Sequence, residues 1–228
     1  MQIHRPIPSQ QIKLLIFDLD GTLIDSRQDL VNSVNAALRS LGRDELPSDE
    51  IAAMVGDGAP VLVRRALGDT VDEALLRRGL EFFLSYYREH KLDFTRLYEG
   101  IPEALEALQG ANGARRVMSV LTNKPVNPSR AIVDALGIGD KFVSVYGGNS
   151  FETKKPDPLG IHTILAENGV RPEEAVMIGD SAVDILTGRA AGTWTCGVTY
   201  GFAPHTLVET PGDIMVDNPR ELGEMLWA

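Results

Sequence analysis

Only one of the 228 residues is cysteine, Cys196. A single thiol makes no internal disulfide and suits a reducing compartment. No run approaches the roughly 18 apolar residues of a membrane span. The first eleven residues, MQIHRPIPSQQ, lack the apolar centre of a secretory leader and carry two prolines, so 1–11 reads as a loose arm or short extra segment. Basic residues are the minority, 22 Lys and Arg against 32 Asp and Glu, for a formal net charge of −10. Such a chain is repelled by polyanions, which excludes nucleic acid and an anionic membrane as expected partners. The four histidines show no metal-ligand spacing, and there is no internal repeat. A cytoplasmic monomer or homodimer is the expectation.

Short apolar runs are what the chain does have: KLLIF (13–17), RVMSVL (116–121), FVSVY (142–146), AVMI (175–178) and, less clearly, TWTCGV (193–198). Each is too short for a helix, and the continuous apolarity predicts strands covered on both faces, as in a parallel sheet. Helical patterns lie between the later ones, at 128–137, 157–169 and 181–192, each closed by a glycine. Strand alternating with helix predicts an α/β fold, a doubly wound parallel-sheet (Rossmann-like) core. From about Asp25 to Leu97 no strand is evident. Four helical patterns fill that interval, too much for a loop. They predict a small all-helical cap over 26–95, with the core formed by 12–25 and 96–228. In the cap, Ser48 with Asp49 and Glu50 reads as a capped helix start. Leu76, Leu80, Phe83, Leu84 and Tyr87 form an apolar stripe, and Phe82 and Tyr86 are expected in the cap core with them.

The residues that end each apolar run carry the chemistry. The first ends in Asp18 and Asp20, the second in Thr122, Asn123 and Lys124, the third in two glycines with Lys154 and Lys155 beyond, the fourth in Asp180, Ser181 and Asp184. Ligands of open α/β sheets bind outside the carboxyl ends of the strands, so these groups are expected to converge. Crowded carboxylates need a cation, and an all-oxygen set suits Mg²⁺. Mg²⁺ with a lysine would let a phosphate approach Asp18, while a threonine hydroxyl and backbone N–H groups hold its oxygens. Asp18 is then the nucleophile that forms an aspartyl phosphate, and Asp20 the acid/base.

DLDGT, LTNK, KKPDP and GDSAVD, in this order at strand ends, resemble the four motifs of the haloacid dehalogenase superfamily, over essentially the whole chain after the arm. FDLDGTLIDS, MVGDGAPVLVRRAL, GGNSFETKKPDP and GVTYG resemble its phosphoglycolate phosphatase subfamily more narrowly. The resemblance implies a helical cap and a Mg²⁺-dependent phosphomonoester hydrolase acting on a small phosphorylated metabolite, with 2-phosphoglycolate leading. It implies Asp18 as nucleophile and metal ligand, Asp20 as acid/base with a backbone carbonyl on the metal, Thr122 and Lys155 on the phosphate, Asp180 as metal ligand and Asp184 in the outer shell. Gly21 and Asn123 join the phosphate-binding set. Asn149 departs from the acid that many relatives carry there.

Several alternatives stay open. Lys124 is the other candidate for the role of Lys155, and Asp184 also suits a helix N-terminus. Arg64 and Arg65 either recognise an anionic tail or form a solvated helix face, with the solvated face slightly favoured. A phosphosugar phosphatase or phosphoglucomutase-like enzyme would use the same residues. A receiver-type phospho-acceptor switch is the non-enzyme reading, and the helical insertion and DxD pair argue against it. Hinges are expected near Ile24–Arg27 and Phe94–Gly100.

Overall fold

The computed structural model describes residues 1–68, 71–111 and 114–225; positions 69, 70, 112, 113 and 226–228, inside the expected cap and core ranges, lie outside the described residues. The strands in chain order are β1 (Gln2–Ile3), β2 (Leu14–Phe17), β3 (Ile24–Asp25), β4 (Arg96–Leu97), β5 (Gly110–Ala111), β6 (Ala114–Arg115), β7 (Val117–Leu121), β8 (Ser144–Tyr146), β9 (Ala175–Gly179), β10 (Trp194–Val198) and β11 (Ile214–Val216). The helices are α1 (Arg27–Ser40), α2 (Ser48–Ala53), α3 (Ala59–Leu67), α4 (Glu73–His90), α5 (Ile101–Gln109), α6 (Val126–Ala135), α7 (Leu159–Asn168), α8 (Ala182–Ala191) and α9 (Pro219–Glu224).

Seven strands form the main sheet in the order β1-β11-β10-β9-β2-β7-β8, parallel except for β1. Strand β2 is central, with Phe17 opposite Val120 of β7 on one side and Ile178 of β9 on the other. The unbroken apolar run has a direct cause. Leu14 and Ile16 pack with Ile161, Ile164 and Leu165 of α7 on one face. Leu15 and Phe17 point the other way, into the cluster that holds Ile101, Leu105 and Leu108 of α5. Full burial of each such side chain contributes roughly 1.5–3 kcal/mol. The chain is therefore an α/β protein built on a mostly parallel sheet. The five apolar runs read from the sequence all fall on strands of this sheet.

The first residues are less loose than expected. Gln2 and Ile3 pair antiparallel with Met215 and Ile214 at the sheet edge, and the Arg5 guanidinium donates to Asp213 at 2.8 Å. Neither β11 nor the helices α5 and α9 figured in the reading of the sequence.

Helices α1 to α4 pack on one another between β3 and β4. Leu30, Val34 and Leu38 of α1 meet Leu62 and Val63 of α3 and Leu76, Phe83 and Tyr87 of α4. The expected stripe is corrected at two points. Leu84 is 36% exposed, because it sits at the rim of a cavity. Phe82 is 40% exposed, since consecutive helix positions such as 82 and 83 cannot share one face. Ser48 is the first residue of α2 and caps nothing; Asp72 is the side chain that caps, accepting from Ala74 and Leu75 N–H of α4 at 2.9 Å.

The two crossings into this helical region lie side by side. β3 and β4 pair antiparallel, Ile24 opposite Leu97 and Asp25 opposite Arg96. Asp29, buried at the start of α1, ties the second crossing to the first by accepting from Phe94 N–H, Thr95 N–H and the Thr95 hydroxyl at 2.7–3.1 Å.

Candidate active site

The carboxyl ends of β2, β7 and β9 open on one cavity of about 60 Å³. Asp18, Asp20, Thr122, Asn123, Lys155, Asp180 and Asp184 all line it. Of the expected site residues only Gly21 is not in the wall. It stands beside the site with φ +82°, and any side chain there would run into the Asp180 carboxylate, so glycine is required.

Asp18 follows β2 directly and is anchored by its N–H donating to Ile178 O at 2.9 Å. The Lys155 ammonium lies 2.8 Å from Asp18 Oδ1 and donates to Asp184 Oδ1 at 2.6 Å. The approach to Asp18 is an ion pair without hydrogen-bond angles, so Oδ1 is buried with no hydrogen bond. Burial pushes the Asp18 carboxyl up to about 6, with Asp184 and Asp20 adding repulsion against the pull of Lys155. Burial also pushes Asp180 up, to about 8, reinforced by Asp184 and Asp18 and only partly offset by the Phe202 and Ala203 N–H groups on its Oδ2. Lys155 moves up from its ordinary value: burial opposes its charge, and Asp18 and Asp184 outweigh that.

Asp18, Asp180 and Asp184 each offer an oxygen within 4.8 Å of the others. Three buried acids facing one ammonium leave negative charge unmatched, and the donors are all oxygen. The set fits a hard divalent cation. Asp184 is less free than the other two. Its Oδ2 accepts from the Ser181 hydroxyl at 2.7 Å and the Ser181 N–H at 3.2 Å, so it serves the start of α8 as well as Lys155.

Asp20 lines the same cavity but stays outside this cluster. Its carboxylate takes both contacts of the Lys124 ammonium, at 2.8 and 2.9 Å, and the Ser26 hydroxyl. Thr122, nearly buried, receives the Lys124 N–H on its hydroxyl at 3.3 Å. Asn123 Nδ2 donates to Lys155 O at 3.1 Å and, across to the helical region, to Gly56 O at 3.0 Å. Lys154 reaches the neighbouring Asp57 carbonyl. A Cβ at Gly58 would sit 2.9 Å from Asn123 O, so this loop closes on the core only as glycine.

The haloacid dehalogenase-like hydrolase family model matches residues 15–198, most of the chain and all of these site residues. The chain belongs to the haloacid dehalogenase-like hydrolase family. It is 38% identical over 216 residues to a Pseudomonas syringae pv. tomato protein named phosphoglycolate phosphatase, covering 92% of this chain and 78% of that one. A Chromobacterium violaceum protein of the same name is 36% identical over 221 residues, covering 95% and 97%. A crystal structure of a protein described as a predicted phosphoglycolate phosphatase, from Haemophilus somnus, superposes with a TM-score of 0.87 at 32% identity, covering 95% and 97%.

In this haloacid dehalogenase-like hydrolase, some expected candidates stand apart from the cavity. Arg64 pairs with Glu73 at 2.8 Å; Arg65 pairs with Asp57 at 2.6 Å and donates to Met54 O. Neither lines the cavity. Asn149 accepts from Val126 N–H at 2.9 Å, supplying a partner at the start of α6. Ser26 and Tyr87 were not read as site residues, and Lys124 only as a substitute for Lys155. The spacing from Asp20 to Ser26 carried no signal, and Tyr87 lies on an ordinary apolar helix stripe.

Proposed function

We propose that this haloacid dehalogenase-like phosphatase hydrolyses a small phosphomonoester in two steps through a phosphorylated Asp18, with Mg²⁺ as cofactor and 2-phosphoglycolate as the leading substrate. The names of its relatives support the substrate, and the unmatched acid cluster supports the metal. The observation that carries the mechanism is the separation of the DxD acids into two environments. Asp18 lies among acids beside Lys155, while Asp20 has its own cradle of Lys124 and Ser26.

Asp18, Asp180 and the backbone carbonyl of Asp20 would hold Mg²⁺, with Asp184 behind them. When bound, the ion supplies positive charge that lets a phosphate dianion come near these carboxylates and stabilises charge on its oxygens. Lys155 contributes a second positive charge beside Asp18. Thr122, with backbone N–H groups near Asn123 and Gly21, orients the phosphoryl oxygens. An Asp18 oxygen attacks phosphorus, and the ester oxygen leaves with a proton from Asp20. Asp20 then takes a proton from water as that water attacks phosphorus, releasing phosphate and restoring Asp18.

The test is a panel of phosphorylated metabolites assayed for inorganic phosphate with and without Mg²⁺. Hydrolysis of 2-phosphoglycolate that stops on chelation, together with a phosphorylated protein trapped by Asp20→Asn and seen by intact mass, is the expected result. Steady phosphate release also separates hydrolysis from a mutase, which returns the phosphoryl group to its sugar. Metal-independent turnover, or no phosphoprotein in any variant, overturns the reading.

A further inference from the structure

The helical side of the cavity is almost featureless chemically. Leu30, Val55, Leu62, Phe83 and Leu84 present carbon, and the two arginines of α3 point to acids elsewhere. Tyr87 of α4 is the exception. Among the described residues of α1 to α4 and their loops, it is the one residue of the cavity wall whose side chain carries a polar group. It is 3% exposed, and its hydroxyl is buried and makes no hydrogen bond of ordinary geometry, with the Lys124 ammonium close enough to act on it electrostatically. The ring is fixed on both sides. It stacks on Phe83 with centroids 5.8 Å apart and planes within 2°, and the Lys124 ammonium sits 4.6 Å from its centroid.

A phenol buried without a well-formed hydrogen bond is costly, and a phenylalanine would pack the same stack at no such cost. The residue lines the same cavity as Asp18 and Asp20. We infer that the Tyr87 hydroxyl is the group by which the helical region recognises the leaving alcohol of the substrate, donating a hydrogen bond to an oxygen that this alcohol carries beyond its ester bond. Burial, with Lys124 opposing it, pushes the phenol up to about 12, so the proton stays on the oxygen at neutral pH and is available to donate. The substrate class follows: small phosphomonoesters with a second oxygen function, of which a carboxylate next to the ester carbon is one. Simple alkyl phosphates lack the partner. Sites built to hydrogen-bond a substrate oxygen reject analogues without it far more strongly than apolar sites reject an extra methylene.

This inference rests on the phosphatase reading above and deepens it. The experiment measures kcat/KM of wild type and Tyr87→Phe on 2-phosphoglycolate and on ethyl phosphate, which keeps the ester and lacks the carboxylate. The expected result is at least a tenfold fall on 2-phosphoglycolate and less than a twofold change on ethyl phosphate, with an unchanged or higher thermal midpoint. An equal fall on both esters, or none on either, overturns the assignment. Phe83→Leu supplies the packing comparison, since it loosens the same stack and leaves the hydroxyl, and is expected to lower both esters alike. If wild type prefers another ester, 2-phosphoglycolate is wrong and Tyr87 is scored on that ester and its analogue without the second oxygen. A wild-type protein that releases phosphate from no ester defeats the phosphatase reading; uniform losses in an active enzyme defeat only Tyr87.

Discussion

The two halves of the cavity differ as sharply as two solvents. The sheet side presents four carboxylates and two buried lysines, Lys155 paired with Asp18 and Asp184 and Lys124 with Asp20. The helical side presents aliphatic and aromatic carbon and one hydroxyl. Charge is concentrated where strands end, because a strand end delivers a side chain with its backbone already locked by neighbours on both sides. The helical side excludes water and so strengthens each charge interaction opposite it. In the proposed reading the sheet side holds the chemistry and the helical side the choice of alcohol.

The largest expected effect strikes the sheet side at its centre. Asp18→Asn keeps the shape and removes the attacking oxygen, so turnover should fall by about 10⁴-fold or more, measured as phosphate release. Variants of the helical wall should move selectivity by far less. Residual turnover of Asp18→Asn above a hundredth of wild type would mean that the sheet side has been assigned wrongly.

The two lysines divide the sheet side again. Lys155 serves Asp18 and Asp184, and Lys124 serves Asp20, so their loss should differ in kind. Lys155→Met leaves two buried acids beside each other without compensation, and a loss of about 3–5 kcal/mol in stability is expected from such a broken pair. Lys124→Met should act through proton delivery by Asp20. Its loss is expected at about tenfold to a hundredfold on alkyl phosphates and distinctly smaller on p-nitrophenyl phosphate, whose leaving group needs no proton. Equal losses on both ester types would remove Lys124 from any part in positioning Asp20.

This division was only half legible in the sequence. The strand-end acids could be read because a buried parallel strand leaves an unbroken apolar run, and whatever polar residue breaks it must lie at the strand's end. β2, β7 and β9 all announce themselves in this way. Strand β11 has three residues and β1 has two, and each exists because the other, or β10, offers a partner edge; nothing local encodes that. The pairing of lysines with acids was likewise invisible. Lys124 and Lys155 both follow strands, and only the fold decides that one reaches Asp20 and the other Asp18. Tyr87 read as core and is core in its ring; its hydroxyl becomes informative only once the wall around it is known to be carbon.

The unmatched charge gives a smaller effect with a definite sign. Asp18 and Asp180 sit at about 6 and about 8 in the metal-free fold, above their ordinary 3.8. A carboxyl raised on folding contributes stability that is full below its unfolded value and lost as pH climbs through the folded one. Metal-free protein should thus lose this contribution between about pH 4 and pH 8, and Mg²⁺ should restore it as the acids ionise. At a concentration about a hundredfold above its dissociation constant the ion stabilises by about 2.7 kcal/mol, or about 5–10 °C in the thermal midpoint at this chain length. That gain, measured as the difference between loaded and metal-free samples, should grow from pH 5 to pH 8. A gain that shrinks over this range would contradict a site made of these acids.

The smallest effect is expected where the helical side carries its own charge. Arg64 and Arg65 look well placed in sequence for an anionic tail, one turn into the helix that opens at Gly58. Their side chains are 37% and 39% exposed and end on Glu73 and Asp57, outside the cavity wall. An exposed pair of this kind is worth about 0–1 kcal/mol, and neither guanidinium faces the reacting groups. Arg64→Ala is therefore expected to leave kcat/KM for 2-phosphoglycolate within about twofold. Arg65→Ala should cost slightly more, because Asp57 lies in the loop that Lys154 and Asn123 hold against the sheet side. A tenfold fall in Arg64→Ala would place a cation in the helical wall and transfer recognition of the tail from the Tyr87 hydroxyl to that arginine.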